Sequence, residues 1–185
     1  MSVIKLITEA FGGAVKVIQT QPFYDNRGFL SIPFRHDEFE ALGLPTKFVQ
    51  NNHSRSSMNV ARGFHFQLWP PMGKLMRVTR GSAQIITVDI RRDSPTFLTY
   101  LDIPVSFENQ FQVWAPEGFA RGFYALEDDT EVQYQCTGMF HPDGDRTIRW
   151  DHPDIGYKWT TTNPILSEKD RNASTVKELI ARGKL

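Results

Sequence analysis

Cysteine is almost missing from this 185-residue sequence: Cys136 stands alone. No disulfide can form within the chain, which suits a reducing compartment. Long apolar runs are missing too. No stretch approaches the roughly 18 residues of a membrane span. Met1–Ile18 lacks a charged start followed by a long apolar run, so no signal peptide is expected. Net charge is also missing, because 21 Lys and Arg balance 21 Asp and Glu. That leaves no overall basic field to hold nucleic acid or an anionic membrane. We therefore expect a cytoplasmic protein that binds neither. Repeats, low-complexity tracts and linker-like shifts in composition are absent, so residues 1–185 read as one domain with a sizeable core.

What is present is a succession of short strands broken by turn residues. Val15–Gln19 reads as a strand. Asp25-Asn26-Arg27-Gly28 reads as a turn, with Gly28–Phe34 leaving it. Asp37 is placed to cap a short helix through Leu42, stopped by Gly43. Strands are predicted at Phe48–Asn52, Ala61–Gln67 and Leu75–Thr79. Arg80-Gly81 then makes a hairpin into Ser82–Asp89, where Ala83, Ile85, Thr87 and Asp89 alternate with Gln84, Ile86 and Val88. More strands are predicted at Phe97–Ile103, Phe111–Ala115, Gly122–Leu126 and Glu131–Thr137. A helix follows at Ser174–Arg182, with Gly183 as its stop. The sum is an all-β, double-sheet jelly roll with short flanking and C-terminal helices.

The densest polar and aromatic stretch is Phe48–Gln67. Gln50, Asn52 and Ser54 share one face of a strand by their period of two. Such a row either meets solvent or binds something, since polar groups facing a core are costly unless paired. Arg62, His65 and Gln67 follow on the next strand. His65 sits between Phe64 and Phe66 and near the cations Arg62 and Lys74. An imidazole beside cations stays neutral unless a carboxylate partners it, and the neutral form is the one that removes protons. A jelly-roll metal site needs two histidines one residue apart, a carboxylate and a third histidine on a later strand. Here Gln67 takes the second position and Arg121 the last. Neither arginine nor a single histidine holds a catalytic divalent ion, so no metal is expected.

Arg62-Gly63-Phe64-His65-Phe66-Gln67 resembles the Arg-Gly-Leu-His-Tyr-Gln signature of the dTDP-4-dehydrorhamnose 3,5-epimerases, cupin-type enzymes. Asp25-Asn26-Arg27-Gly28, Phe48–Ser54, Lys74-Leu75, Val88–Arg91, Ser94-Pro95, Pro116–Ala120, Tyr134–Thr137 and Leu166–Asp170 resemble further family motifs, in family order. The resemblance implies a cofactor-free epimerase in deoxysugar biosynthesis. It implies His65 as the base, Asp170 as the carboxylate orienting it, Tyr134 as the general acid and Lys74 as the cation at the substrate ketone. Arg62, Gln50 and Asn52 would contact substrate or its phosphates. Arg27 would reach the nucleotide across a homodimer that exchanges strands. The substrate would be a nucleoside-diphosphate 4-keto-6-deoxyhexose, whose C3 and C5 protons both lie beside the ketone.

Each residue also has a structural reading. Asp170 fits a capping box, and Tyr134 fits a core position. Lys74, Arg62 and Arg27 fit solvated charges. Two departures stand out. The family usually has histidine where this chain has Arg121, and glutamate where it has Ile32. Arg121 is then either a recognition group in the pocket or half of a surface ion pair. The alternatives to a 3,5-epimerase are a single-site epimerase on thymidine, cytidine or guanosine diphosphate sugar, a 3,4-ketoisomerase, and a non-catalytic binder.

Overall fold

The computed structural model of the chain describes residues 2–185. Thirteen strands and three short helices follow in order: β1 Ile4–Ala10, β2 Val15–Thr20, β3 Phe23–Asp25, β4 Gly28–Leu30, α1 His36–Ala41, β5 Gln50–Ser56, β6 Ala61–Gln67, β7 Lys74–Arg80, β8 Ser82–Asp89, β9 Tyr100–Ser106, β10 Phe111–Ala115, β11 Phe119–Ala125, β12 Thr130–Cys136, β13 Asp145–Thr147, α2 Glu168–Arg171 and α3 Val176–Ala181. One sheet runs β1-β2-β10-β7-β12-β5, the other β13-β6-β11-β8-β9, and β3-β4 form a separate hairpin. The two large sheets face each other as a double-sheet jelly roll, as expected.

Period-two alternation decides which side chains meet between the sheets. Val15, Val17, Met76, Val78, Val113 and Val132 come from the first sheet. Ala83, Ile85, Val105, Phe119 and Phe123 come from the second, and all are buried in one cluster. Each large side chain in it contributes about 1.5–3 kcal/mol through burial. The outer face of the second sheet is covered as well. Phe64, Phe66, Ile86 and Val88 pack there against Ile148, Ile155, Val176 and Leu179. This explains why both alternating sets of β8 are largely apolar. The first sheet's outer face is covered in part by Phe39 of α1, beside Ile18, Leu75 and Trp114.

Three strands match their predicted spans, namely β6, β8 and β10. Gly81 turns the β7–β8 hairpin at φ +70°, a conformation that favours glycine. Several expectations are corrected. The β4 strand stops at Leu30 rather than Phe34, and β5 starts at Gln50 rather than Phe48. Strand β9 runs from Tyr100 rather than Phe97. Arg35, not Asp37, holds the N-cap position of α1, and no side chain caps it; Asp37 lies in the first turn and pairs with Arg35. The last helix is shorter than Ser174–Arg182, because Thr175 and Glu178 close a capping box at its start.

One irregularity shapes the site. Along β6 and β11, Arg121 faces His65 and Phe123 faces Arg62. Three steps on β6 therefore match two on β11, an extra residue of the β-bulge kind. Gly63 lies inside this step at φ +134°. A Cβ there would stand 2.5 Å from Gly122 Cα, so only glycine lets the strands approach. The extra residue turns Arg62 toward the same cavity as His65, against strict alternation.

Candidate active site

The interior between the sheets changes character along the strands. A small cavity of about 60 Å³ is lined by Ser54 of β5, Arg62 and His65 of β6, Lys74 and Met76 of β7, Arg121, Gly122 and Phe123 of β11, and Tyr134 of β12. That holds about two waters. A hexose must therefore lie across its mouth or displace side chains. A wider open groove lies along the C-terminal segment. It mixes Asp143, Asp145 and Glu168 with Arg146, Lys169 and Arg182 and has no histidine in its lining.

His65 enters the cavity because Phe64 and Phe66 claim the opposite face of β6. Its Nε2 lies 2.5 Å from Asp170 Oδ1, although 105 residues separate the two in sequence. Asp170 is 2% exposed. Asp170 also sits in the first turn of α2. Ser167 caps α2 by accepting from the Asp170 amide, and its hydroxyl donates to Asp170 Oδ2 at 2.7 Å. Burial pushes the Asp170 carboxyl up, but hydrogen bonds from His65, Ser167 and the Gly63 amide outweigh it and hold the group below its ordinary range. With Nε2 engaged by a carboxylate, Nδ1 is the imidazole nitrogen left for other chemistry.

Tyr134 pairs across the sheet with Met76, and Cys136 with Lys74. These four side chains thus share the inward face. The Lys74 ammonium lies 5.2 Å from the centre of the Tyr134 ring. Burial, then the positive charge of Arg121, brings Lys74 down to about 8. Burial holds the Tyr134 phenol above its ordinary value, so it carries its proton at neutral pH. Burial likewise raises the Cys136 thiol.

Arg121 is 3% exposed. It is not half of a surface ion pair: its Nη2 donates to the carbonyls of Ala115 (2.7 Å), Met72 (3.1 Å) and Pro116. Arg62 reaches Ser56 Oγ at 3.2 Å and lies over Phe123.

Gln50 and Asn52 do face inward, being paired with Cys136 and Tyr134. They bond each other at 2.9 Å, and Asn52 also approaches Cys136 Sγ. They border the cavity without lining it. Arg27 is not brought to it within one chain. It stands at the tip of the β3–β4 hairpin, 86% exposed and paired with Asp25. Ile32 leans on the outer cluster around Phe39, away from the cavity. Gln67 is spent on structure, donating to Pro70 and Met139 carbonyls and accepting from the His141 amide. Ser54 lines the cavity as the polar row of Gln50, Asn52 and Ser54 suggests, whereas Met76, Gly122, Phe123 and Cys136 carry no site signal of their own in the sequence. What marks Met76, Phe123 and Cys136 is inward parity beside Lys74, Arg121 and Tyr134. Among the described residues, no group of three or more His, Cys, Asp and Glu could hold a metal ion.

An imidazole braced by a buried carboxylate, a phenol and an ammonium around one cavity of a cupin jelly roll define an enzyme of the acid–base kind. The family model described as dTDP-4-dehydrorhamnose 3,5-epimerase matches residues 12–178. The Escherichia coli enzyme of that name is 43% identical over 169 residues, covering 90% of this chain and 91% of its own length. The chain belongs to this family of isomerase-class epimerases. Among solved structures, the Legionella pneumophila dTDP-6-deoxy-D-glucose-3,5-epimerase in complex with dTDP-4-keto-L-rhamnose is 35% identical. It superimposes with a TM-score of 0.91, over 97% of this chain and 96% of its own. A 3'-monoepimerase from Streptomyces bikiniensis in complex with dTDP-quinovose is 28% identical, with a TM-score of 0.87 over 94% and 89% of the two chains.

Proposed function

We propose that this chain, as one jelly-roll domain, epimerises a dTDP-linked 4-keto-6-deoxyhexose beside its C4 ketone, in deoxysugar biosynthesis. The observation that carries this is the His65–Asp170 pair opening onto the cavity of Lys74 and Tyr134. His65 takes a proton from C3 or C5 at Nδ1. The C–H electron pair moves into a carbon–carbon double bond, and the carbonyl pair moves onto oxygen to give an enolate. Lys74 faces that oxygen with its charge. Asp170 fixes the imidazole and stabilises its charged form. Tyr134 returns a proton to the opposite face, which inverts the centre, and solvent restores both groups. Proton counts balance with no redox step. Arg62, Gln50 and Asn52 contact the phosphates or the sugar in this reading.

Two further parts belong to this reading. A homodimer is supported by the β3–β4 hairpin, which exposes Phe23, Tyr24, Phe29 and Leu30 around Arg27. A cytoplasmic setting is supported by the lone buried thiol of Cys136. No helix among the described residues is long and apolar enough to cross a membrane.

The test follows a dTDP-linked 4-keto-6-deoxyhexose in deuterated water by NMR. Epimerisation incorporates deuterium at C3, C5 or both, with inversion. Movement of the keto group would establish a ketoisomerase instead, and no change at all a binder. A second reading, inversion at one carbon only, is favoured by the buried Arg121 opposite His65. Its bulk and charge bias the pose of the ring, and small misplacements of a reacting carbon cost about a hundredfold. Equal wash-in rates at C3 and C5 would refute it.

A further inference from the structure

Arg121 is unusual among the buried groups. Among the described residues, two of its nitrogens, Nε and Nη1, have no hydrogen-bond partner, while Nη2 is held by three main-chain carbonyls. Among the described residues no carboxylate lies within ion-pair distance of it. Glu117 acts on it only through longer-range charge, the Cys136 thiol keeps its proton at neutral pH, and despite its burial Arg121 stays charged there. A buried cation without a counter-charge is costly. Here it lines the same cavity as two further cations, Lys74 and Arg62. Among the described residues, Asp170 is the carboxylate that touches a side chain lining the cavity, and it is already engaged by His65 and Ser167.

Three cations without a free anion suit a neutral sugar poorly. They suit an anion that exists only during the reaction, since preorganised charge acts where charge develops. We propose that Arg121 is a positioning residue of the epimerisation site: its fixed charge, locked beside Lys74 by three carbonyls, prepares the hexose end of the cavity for the enolate and acts on it through Lys74. The role rests on the epimerase reading and goes beyond the roles of His65, Tyr134, Asp170 and Lys74.

The groups around the Lys74 ammonium are Tyr134 and Cys136 of β12, Arg121 of β11, and His65 and Arg62 of β6, with Asp145 and Lys169 farther off. Burial and Arg121 lower Lys74 to about 8, while Cys136 and Asp145 oppose them. Lys74 is therefore mostly charged at pH 7 and loses its proton just above. An ammonium of that strength matches a developing enolate oxygen better than an ordinary lysine does. The sign follows directly. Without the charge at position 121, Lys74 titrates at higher pH, and the alkaline limb of the rate profile moves up.

The test compares wild type with Arg121→Met, which removes the charge, and Arg121→Lys, which keeps it. Deuterium wash-in gives kcat and KM across pH 6–10, and NMR of ¹³Cε-labelled lysine follows Lys74 directly in the free enzyme. Arg121→Met is expected to lower kcat about 10²-fold or more with little change in KM, and to raise the Lys74 titration and the alkaline limb together. Arg121→Lys is expected to recover most of both. If Arg121→Met does not fold, Arg121→His above pH 8 removes the charge in the same way, because its imidazole is neutral there. An exchanging enzyme whose Lys74 titration and kcat are unmoved by loss of the charge overturns the role. So does equal damage from Met and Lys, which would mark a structural residue. A wild-type enzyme that washes in no deuterium removes the epimerase reading and this role with it.

Discussion

The two ends of the jelly-roll interior are built from the same strands and do opposite work. The inward face of β7 reads Lys74, Met76, Val78, and that of β12 reads Cys136, Tyr134, Val132. Moving along either strand passes from ionisable and polar groups to sealed hydrocarbon. The apolar end, with Val15, Val17, Val78, Ile85, Val105, Val113 and Val132, holds the sheets together. The polar end gathers four ionisable or polar side chains of β6, β7 and β12 beside a buried guanidinium. The difference teaches where stability and chemistry reside. One end gains free energy by excluding water, and the other gives some up by burying charge around the cavity.

That division predicts separable damage. At the polar end, His65→Gln removes the proposed base while keeping a donor near the Nε2 position. Wash-in is expected to fall by about 10²–10⁴-fold or more, while the urea midpoint shifts little, because the amide can still donate to Asp170. Substantial residual exchange would show that His65 is not the sole base. At the apolar end, Ile85→Ala leaves a cavity beside Phe123 and Ile103. Stability should drop by about 2–5 kcal/mol with an unchanged denaturant slope, and the rate per folded molecule should hold. A matching loss of rate would mean that the two ends are coupled more tightly than their packing indicates. The smallest effect is expected outside both ends. Arg27→Ala removes an exposed side chain paired only with Asp25 and should cost under about 0.5 kcal/mol in stability. If the hairpin serves a neighbouring site, KM rises while kcat holds. Sedimentation as a fully active monomer of 21.2 kDa at micromolar concentration would end the dimer proposal.

Much of this was legible in the chain. Strands β6, β8 and β10 were readable to the residue because turn residues such as Gly81, Asn109 and Pro116 bound short runs rich in apolar and aromatic side chains. Strand β1 was not, since it is an edge strand with mostly exposed side chains and a register shift between Leu6 and Thr8. The three-residue β13 was missed as well, being too short to show a period. Asp37 looked like a cap because its residue type favours that role, but the N-cap falls two residues earlier, at Arg35, with which Asp37 pairs instead.

The site divides in the same way. Local alternation along β6 sends Phe64 and Phe66 to one face and His65 to the other, because consecutive side chains on a strand must point apart. Motif resemblance marked Lys74, Tyr134, Asp170, Arg62 and Arg121 one by one. Their convergence is a long-range matter. Asp170 reaches His65 over 105 residues only because the C-terminal segment packs on the outer face of the second sheet and sets α2 beside β6. Arg62 shares the cavity against its parity because Gly63, free of a Cβ, lets an extra residue into the strand. Arg121 lies inward because its partner in register is His65, and its charge stays there because main-chain carbonyls, which no pattern of side chains reveals, hold its guanidinium. Alternation is a property of neighbouring residues and is written in their order. The meeting of distant groups depends on how whole sheets and segments stack.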